Sequence, residues 1–348
     1  MTSTPPRVAL FGAGMISSAH GAAAAFAGYP LAAVASRSAE RAAQRAAELG
    51  TVACTYDDVL SGRVAADVVV VSTPPQCHAT DAIALLATGV AVLLEKPLCR
   101  TLDEADAIVA AAARHGDRLL YGENLAYAPC VRQLLQRIPA LGPLTHLEAR
   151  ALQSLPTWGQ FTSDEWGGGA LFDLGVHPLS VALLCANASS AGLPIAVSAE
   201  LRGGPGHASD EHAELRLLYP SGLEATVVSS WQAGPGLVWD AQAASATGVL
   251  RAEMLPVPSL EHNGDTVALP QTNVSIAAIE QYGYLGQLQA LIADSAQGRK
   301  PTMSAEFGRV VLDVVCAAYS SAGQAGAHVG IPFRGARDRT PLQLWRGE

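Results

Sequence analysis

Arg7-Val8-Ala9-Leu10-Phe11-Gly12-Ala13-Gly14-Met15-Ile16-Ser17 is the stretch whose reading decides the fold. An apolar run ends in Gly-x-Gly, and the chain continues at once into Ala-rich sequence that reads as a helix. A strand ending in a glycine turn at a helix N-terminus brings backbone N–H groups and the positive end of a helix dipole to one point. That point suits a pyrophosphate. Gly12 allows the tight turn, and Gly14 keeps a Cβ out of the path between backbone and phosphate. Ala13, Met15 and Ile16 complete the turn and open the helix, while the third position of the Gly-x-Gly-x-x-Gly/Ala pattern holds Ser17. Such a turn also occurs without a ligand, so its surroundings must decide.

Outward from it, short apolar runs alternate with helical stretches as far as Gly122. Strands are expected at Val8–Phe11, Leu31–Ala35, Asp67–Ser72, Val90–Leu94 and Arg118–Tyr121, with a weaker one at Thr51–Cys54. Helices are expected near Ile16–Phe26, Ala39–Leu49, Cys77–Ala87 and Leu102–Arg114. The run Asp67-Val68-Val69-Val70-Val71 is apolar almost throughout, as a strand covered on both faces must be. The alternation predicts a doubly wound parallel α/β sheet, a Rossmann domain over residues 1–122, with a dinucleotide at the carboxyl ends of the strands.

Those strand ends supply the candidate cofactor residues. An NAD-selecting fold places Asp or Glu about 20 residues beyond the glycines; here Ala35-Ser36-Arg37-Ser38 has no acid. Ser36 leaves space and Arg37 can pair with a 2′-phosphate, a charge-assisted contact worth roughly 1.5–3 kcal/mol. NADP is therefore the expected cofactor; NAD is the alternative if Arg37 is only a solvated loop charge. Thr73 and Pro74 line the trough after the fourth strand. His78 is a further cofactor candidate, or equally a helix residue with a structural hydrogen bond. The fifth strand runs into Glu95-Lys96-Pro97, which puts an ammonium group near the place of a nicotinamide.

Beyond Gly122 the alternation stops, and residues 123–348 read as a second, α+β domain. Glu123 and Asn124 emerge at the end of the sixth strand, to bind substrate or to cap a turn, and Tyr127 follows. Val131–Ile138 reads as a helix and Leu144–Leu152 as a long strand. The loop 153–169 carries Trp158, Phe161 and Trp166, either as a substrate cover or as packing on the sheet. Asp173 and His177 stand four apart, on one face of an expected helix, with Pro178 forcing a kink or a new first turn. A carboxylate beside an imidazole suits proton transfer near neutral pH. Alternating runs at Val197–Leu201, His212–Tyr219, Leu223–Trp231 and Ala241–Glu253 predict a mainly antiparallel open sheet, with a hairpin turn at Tyr219-Pro220-Ser221-Gly222. One face should pack on helices; the other, expected to be rich in Leu, Val and Trp, should need cover from a second subunit. Ala277–Gln297 and Ala305–Ala322 read as closing helices. His207, His212, His262 and His328 lack ligand spacing.

Composition closes off other classes. The 348 residues are 49% hydrophobic and 15% charged with a net charge of −9, and they carry no Lys/Arg block. That argues against nucleic acid or an anionic membrane as partner. No run approaches the ~18 apolar residues of a membrane span, and a first strand at Arg7 leaves no room for a signal peptide. The six cysteines form no C-x-x-C pair, which fits buried thiols in a reducing cytoplasm and no metal site.

Gly12-Ala13-Gly14, Thr73-Pro74, Glu95-Lys96-Pro97 and Gly168-Gly169-Ala170-Leu171-Phe172-Asp173-Leu174-Gly175-Val176-His177 together resemble the Gfo/Idh/MocA oxidoreductases, in family order along essentially the whole chain. The resemblance implies that Lys96, Asp173 and His177 face a nicotinamide and a sugar or polyol, that the Lys96–Pro97 bond is cis, and that dimers or tetramers form through the second sheet. Trp166 and Tyr127 join Glu123 and Asn124 as substrate candidates. Pro75, Ala126 and Ser180 depart from residues many members carry, and they fall on the substrate side. The implied activity is hydride transfer between a nicotinamide and a carbinol of a sugar, sugar derivative or cyclitol. A dinucleotide-dependent glycoside hydrolase and a non-catalytic sugar sensor are the rivals.

Overall fold

The computed structural model describes residues 4–348. The chain runs β1 (Val8–Phe11), α1 (Ser17–Phe26), β2 (Leu31–Ala35), α2 (Ala39–Glu48), β3 (Ala53–Cys54), α3 (Tyr56–Leu60), β4 (Val68–Val71), α4 (Pro75–Ala87), β5 (Ala91–Glu95), α5 (Leu102–Arg114) and β6 (Leu119–Gly122). All six strands are parallel, in the order β3-β2-β1-β4-β5-β6. β1, β4, β5 and β6 are buried at every position, which is why, up to Glu95 at the end of β5, their sequences are almost unbroken apolar runs. The order reverses at β1, with β2 on one side and β4 on the other, so the ligand crevice of such a sheet opens above Gly12. The short α3 was not foreseen. It is fixed by a capping box in which Thr55 and Asp58 exchange hydrogen bonds, a local signal that five residues of helix are too few to show by periodicity.

After α6 (Pro129–Leu141) come β7 (Leu144–Leu152), α7 (Ala170–Asp173), α8 (Val176–Ala188), β8 (Ala196–Gly203), β9 (Asp210–Leu218), β10 (Glu224–Ser230), β11 (Val238–Ser245), β12 (Val249–Leu255), β13 (Ser259–His262) and β14 (Asp265–Thr266). The chain ends with α9 (Ala277–Gln281), α10 (Tyr284–Ala296), α11 (Ala305–Gly323), β15 (Val329–Gly330) and α12 (Pro341–Arg346). The nine-stranded second sheet has the order β14-β13-β12-β11-β7-β10-β9-β8-β15. Only β7 and β10 pair in parallel. The run read as one strand over Ala241–Glu253 is a hairpin, with β11 and β12 joined by a tight turn.

The chain does not divide once at residue 122. One compact unit comprises Met1–Cys99, Glu104–Tyr127 and Thr272–Arg309; the other comprises Arg100–Asp103, Ala128–Gln271 and Val310–Glu348. In the first unit α10 packs on β5, β6 and α1, covering a face of the parallel sheet that the first 122 residues leave bare. Tyr121 N–H donates to Met303 O at 2.7 Å beside β6. Of the two stretches expected to close the second domain, Ala277–Gln297 therefore belongs to the first unit, while most of Ala305–Ala322 stays in the second.

In the second unit α6, α7 and α8 lie on one face of the sheet. Leu147, Ala149, Ala151, Ala213, Leu215, Leu217, Ala225 and Val227 are buried there. The opposite face is not the apolar surface expected. It carries Arg150 held by both oxygens of Asp240 (2.9 and 2.5 Å), Glu148 at 3.8 Å from Arg150, Arg216 beside Glu214, and Arg251 on Gln242. Most Leu and Val residues of these strands point inward, and the residues between them, polar except for a few such as Val228, face out.

Candidate functional site

The glycine turn is built for an anion. Gly12 has φ +129°, and a Cβ there would lie 2.7 Å from the backbone of Ser72, so the turn demands glycine. Gly14 differs: a Cβ there would come no nearer than 4.0 Å to any other part of the protein. Packing does not require glycine at 14, whereas an approaching phosphate does. Ala13, Met15 and Ile16 follow with at least part of their surface open. α1 begins with no side-chain cap and no acid in its first turn, so no carboxylate competes there with an incoming anion. Ser17 in the third pattern position is buried, and its hydroxyl donates to Gly14 O at 2.6 Å. These residues fit the pyrophosphate of a dinucleotide.

Ser36 and Arg37 follow β2 directly. Arg37 is exposed, and its Nη2 lies 3.0 Å from Cys77 Sγ. Thr73 is buried and donates to Asp81 Oδ2 at 2.7 Å, while Pro74 is exposed. His78 is 1% exposed, with Nδ1 2.8 Å from Pro97 O and Nε2 2.7 Å from Thr73 O. Of the two roles open to it, the structural one is built. Burial holds its pKa below the ordinary histidine range, although both carbonyls pull the other way. His78 thus ties the loop after β4 to the loop after β5.

Glu95 and Lys96 close β5, and the Lys96–Pro97 bond is cis. The Glu95 side chain turns inward. Its Oε1 is 2.7 Å from Nε2 of the fully buried His20 on α1, and its Oε2 accepts the Lys96 N–H at 3.1 Å. A buried carboxylate is thereby matched to a histidine and to the backbone of the candidate lysine. Glu123 is fully buried and accepts Leu125 N–H at 3.2 Å; Asn124 donates to Tyr282 O at 2.6 Å. Both serve the turn after β6 and its anchorage to the returning segment. Tyr127 is half-buried beside Gly286.

In the second unit, of the two outcomes expected at Pro178, a kink or a new first turn, the structure has the second. α7 ends at Asp173 and α8 begins at Val176, so Pro178 falls in a new first turn. Both side chains are 6% exposed. The double glycine before α7 is required by crowding: a Cβ on Gly168 would sit 2.1 Å from Phe172, and one on Gly169 2.1 Å from Asp210 O. The fully buried Asp210 accepts Gly169 N–H at 3.0 Å, Leu171 N–H at 2.8 Å and the Tyr319 hydroxyl. Burial pushes its carboxyl up to about 6, against the pull of these bonds. This clamp fixes where α7 starts and so which way Asp173 and His177 face.

Trp239 lies tilted at 36° over the His177 ring, with centroids 4.9 Å apart. Phe161 and Trp239 pack against the buried cluster Ala151, Ala170, Leu174 and Trp231, and Trp166 meets Phe161 edge-on at 4.9 Å. The loop 153–169 thus uses Phe161 and Trp166 for packing and leaves Trp158 49% exposed. His20, Asp210, Tyr319 and Trp239 were not foreseen. His20 alone left a trace, as a histidine on a helix face otherwise made of Ser17, Gly21 and Ala24. Among the described residues, no group of three or more His, Cys, Asp or Glu could hold a metal, and no helix is long and apolar enough to cross a membrane.

Comparison with known proteins agrees with both units. The profile of an oxidoreductase family with an NAD-binding Rossmann fold matches residues 6–123, and that of the GFO/IDH/MocA C-terminal domain matches residues 131–248. The provisionally named UDP-kanosamine synthase oxidoreductase subunit of Amycolatopsis mediterranei is 30% identical over 298 residues, 76% of this chain and 81% of its own. The D-glucoside 3-dehydrogenase of Escherichia coli is 34% identical over 193 residues, 53% of this chain and 54% of its own. Among solved structures, GenD2 from gentamicin A biosynthesis, in complex with NAD, superposes with a TM-score of 0.82 at 24% identity, covering 95% of this chain and 97% of that one.

Proposed function

Because the chain belongs to the GFO/IDH/MocA oxidoreductase family, we propose that it is an NADP-preferring dehydrogenase or reductase of a carbinol on a sugar, sugar derivative or cyclitol. The single observation that carries this reading is the end of β5. Glu95 is held inward by His20, and Lys96 follows at the carboxyl edge of a buried strand, in the same unit as a phosphate-ready glycine turn. Gly12, Ala13, Gly14, Met15 and Ile16 would hold the pyrophosphate, and Ser36 and Arg37 the adenosine ribose. Thr73, Pro74, Glu95 and Lys96 would line the nicotinamide end. The bound dinucleotide supplies a hydride acceptor or donor at the nicotinamide C4.

The protein's own part is to manage the proton and the charge on oxygen. His177 takes the hydroxyl proton in the oxidative direction and returns it in reduction. Lys96 hydrogen-bonds the reacting oxygen and stabilises its developing negative charge, and Asp173 orients His177 or a neighbouring hydroxyl. General acid–base help contributes roughly 10²–10⁴-fold. His177→Ala should lower kcat by that factor and leave NADPH binding, read by fluorescence, within a few-fold; near-normal turnover would remove His177 from the mechanism. Replacing Arg37 by Ala should cut the kcat/KM preference for NADP over NAD by about ten- to a hundredfold; an unchanged ratio assigns Arg37 to solvent.

Both measurements begin from an absorbance screen of sugars, amino sugars, inositols and diols with each cofactor. Sugar release without net change in nicotinamide absorbance would replace this function by hydrolysis. Homodimers or homotetramers through the second sheet, and cytoplasmic residence, belong to the same proposal. The six free thiols support the second of these.

A further inference from the structure

Two loops beside His177 expose apolar side chains that folding alone does not need there. Of the ten large hydrophobic residues exposed among the described residues, Leu155, Trp158, Leu237 and Val238 lie on loops 153–169 and 231–237 or at the first residue of β11. The loops are tied together: Gln153 N–H donates to Ser230 O at 2.9 Å, Ser154 pairs with Gln232, and the Ser154 hydroxyl donates to Gly234 O. Trp158 stands edge-on to Phe161 at 6.5 Å. Phe161 packs against the same cluster as Trp239, and Trp239 lies over His177. An apolar apron therefore leads from solvent toward the candidate base. Exposed apolar side chains gathered on two loops that are tied together mark a binding surface more often than residues scattered singly do.

Its charge narrows the occupant. Residues 153–169 and 231–238 contain no Lys or Arg, and their only ionisable side chains are Asp164 and Glu165. Arg346, reaching in from α12, is taken up by both oxygens of Asp164 at 2.7 and 3.1 Å. Arg100 donates to Glu165 O at 3.3 Å. A nucleotide-linked sugar would bring a doubly charged diphosphate, which is recognised by free guanidinium or ammonium groups or by helix N-termini. An uncharged ring suits this surface, because aromatic faces gain most against a flat apolar partner.

We propose that the apron is an aglycone subsite, so that the substrate is a glycoside whose sugar is offered to His177 while an uncharged aromatic aglycone lies against Trp158, Leu155 and Leu237. This rests on the dehydrogenase function above and narrows it, away from free sugars and nucleotide-linked sugars.

The test compares kcat/KM for phenyl glycosides, methyl glycosides, free sugars and UDP-sugars, in gluco and galacto pairs. It uses the full chain and the variants Trp158→Ala and Leu237→Ser. Phenyl over methyl should be favoured tenfold or more, with UDP-sugars poorest, and that ratio should fall toward one in both variants. Preference for a UDP-sugar, or a ratio that neither variant changes, overturns the proposal. It is overturned equally if the variants lose every substrate alike and light scattering shows a smaller assembly, since the patch would then be a subunit interface. Calorimetry separates the two levels: phenyl glycoside binding that Trp158→Ala weakens, without turnover, sinks the dehydrogenase and keeps the subsite. Neither binding nor turnover sinks both.

Discussion

Asp210 shows how one buried carboxylate can govern residues distant in sequence. It lies 37 positions after Asp173, yet its bonds to Gly169 and Leu171 set the start of α7. Burial raises its carboxyl to about 6. A carboxyl whose pKa rises on folding favours the folded state below the ordinary carboxylate range and loses that contribution as pH climbs through about 6. The wild type should therefore gain in Tm over Asp210→Asn as pH is lowered from 7.5 to 5, and a gap that does not change with pH would contradict this. At this scale, legibility followed locality. Gly12, Gly14, Lys96 and His177 belong to short motifs whose chemistry lies within a few residues. His20 and Asp210 find their partners 75 and about 40 residues away, and no spacing rule reaches that far.

Among the elements, strands of the first unit were readable almost residue for residue, because burial on both faces leaves them unbroken apolar runs. β4 is four valines. Helices failed where tertiary contacts, not periodicity, set their limits. α9 and α10 read as one, yet Gly283, at φ +85°, divides them, whereas the new first turn at Pro178 was one of the two readings open to it. The Ala241–Glu253 run concealed a hairpin because Thr247 and Gly248 give a weaker turn signal than Pro220-Ser221-Gly222 does. α10 also defied placement, since its role is visible only from the sheet it covers. Its Leu288 is fully buried, so Leu288→Ala should cost about 2–5 kcal/mol of stability in urea unfolding. Nicotinamide nucleotide affinity should fall as well, since α10 packs against the strand that ends at Glu95. Unchanged unfolding would mean that α10 contributes little to the first unit.

At the scale of the molecule, the two-domain composition and both sheet types were legible, whereas the course of the chain between units was not. The sheet face expected to be apolar is laced with Arg150, Asp240, Glu148, Arg216 and Glu214. An assembly through it would be held by charges that salt screens. Light scattering should accordingly find multiples of the 35.9 kDa chain at low ionic strength and smaller species in 1 M salt, about a 3 Å screening length. Salt-independent mass would place the interface elsewhere. The return of Thr272–Arg309 to the first unit has a further consequence during synthesis. A ribosome delivers the glycine turn first and the covering helix α10 much later, so the nucleotide-binding half must wait, unfinished, while eight of the nine strands of the second sheet are translated. Stalled nascent chains ending before Arg309 should be cut by protease within that half, and released full-length chains should resist.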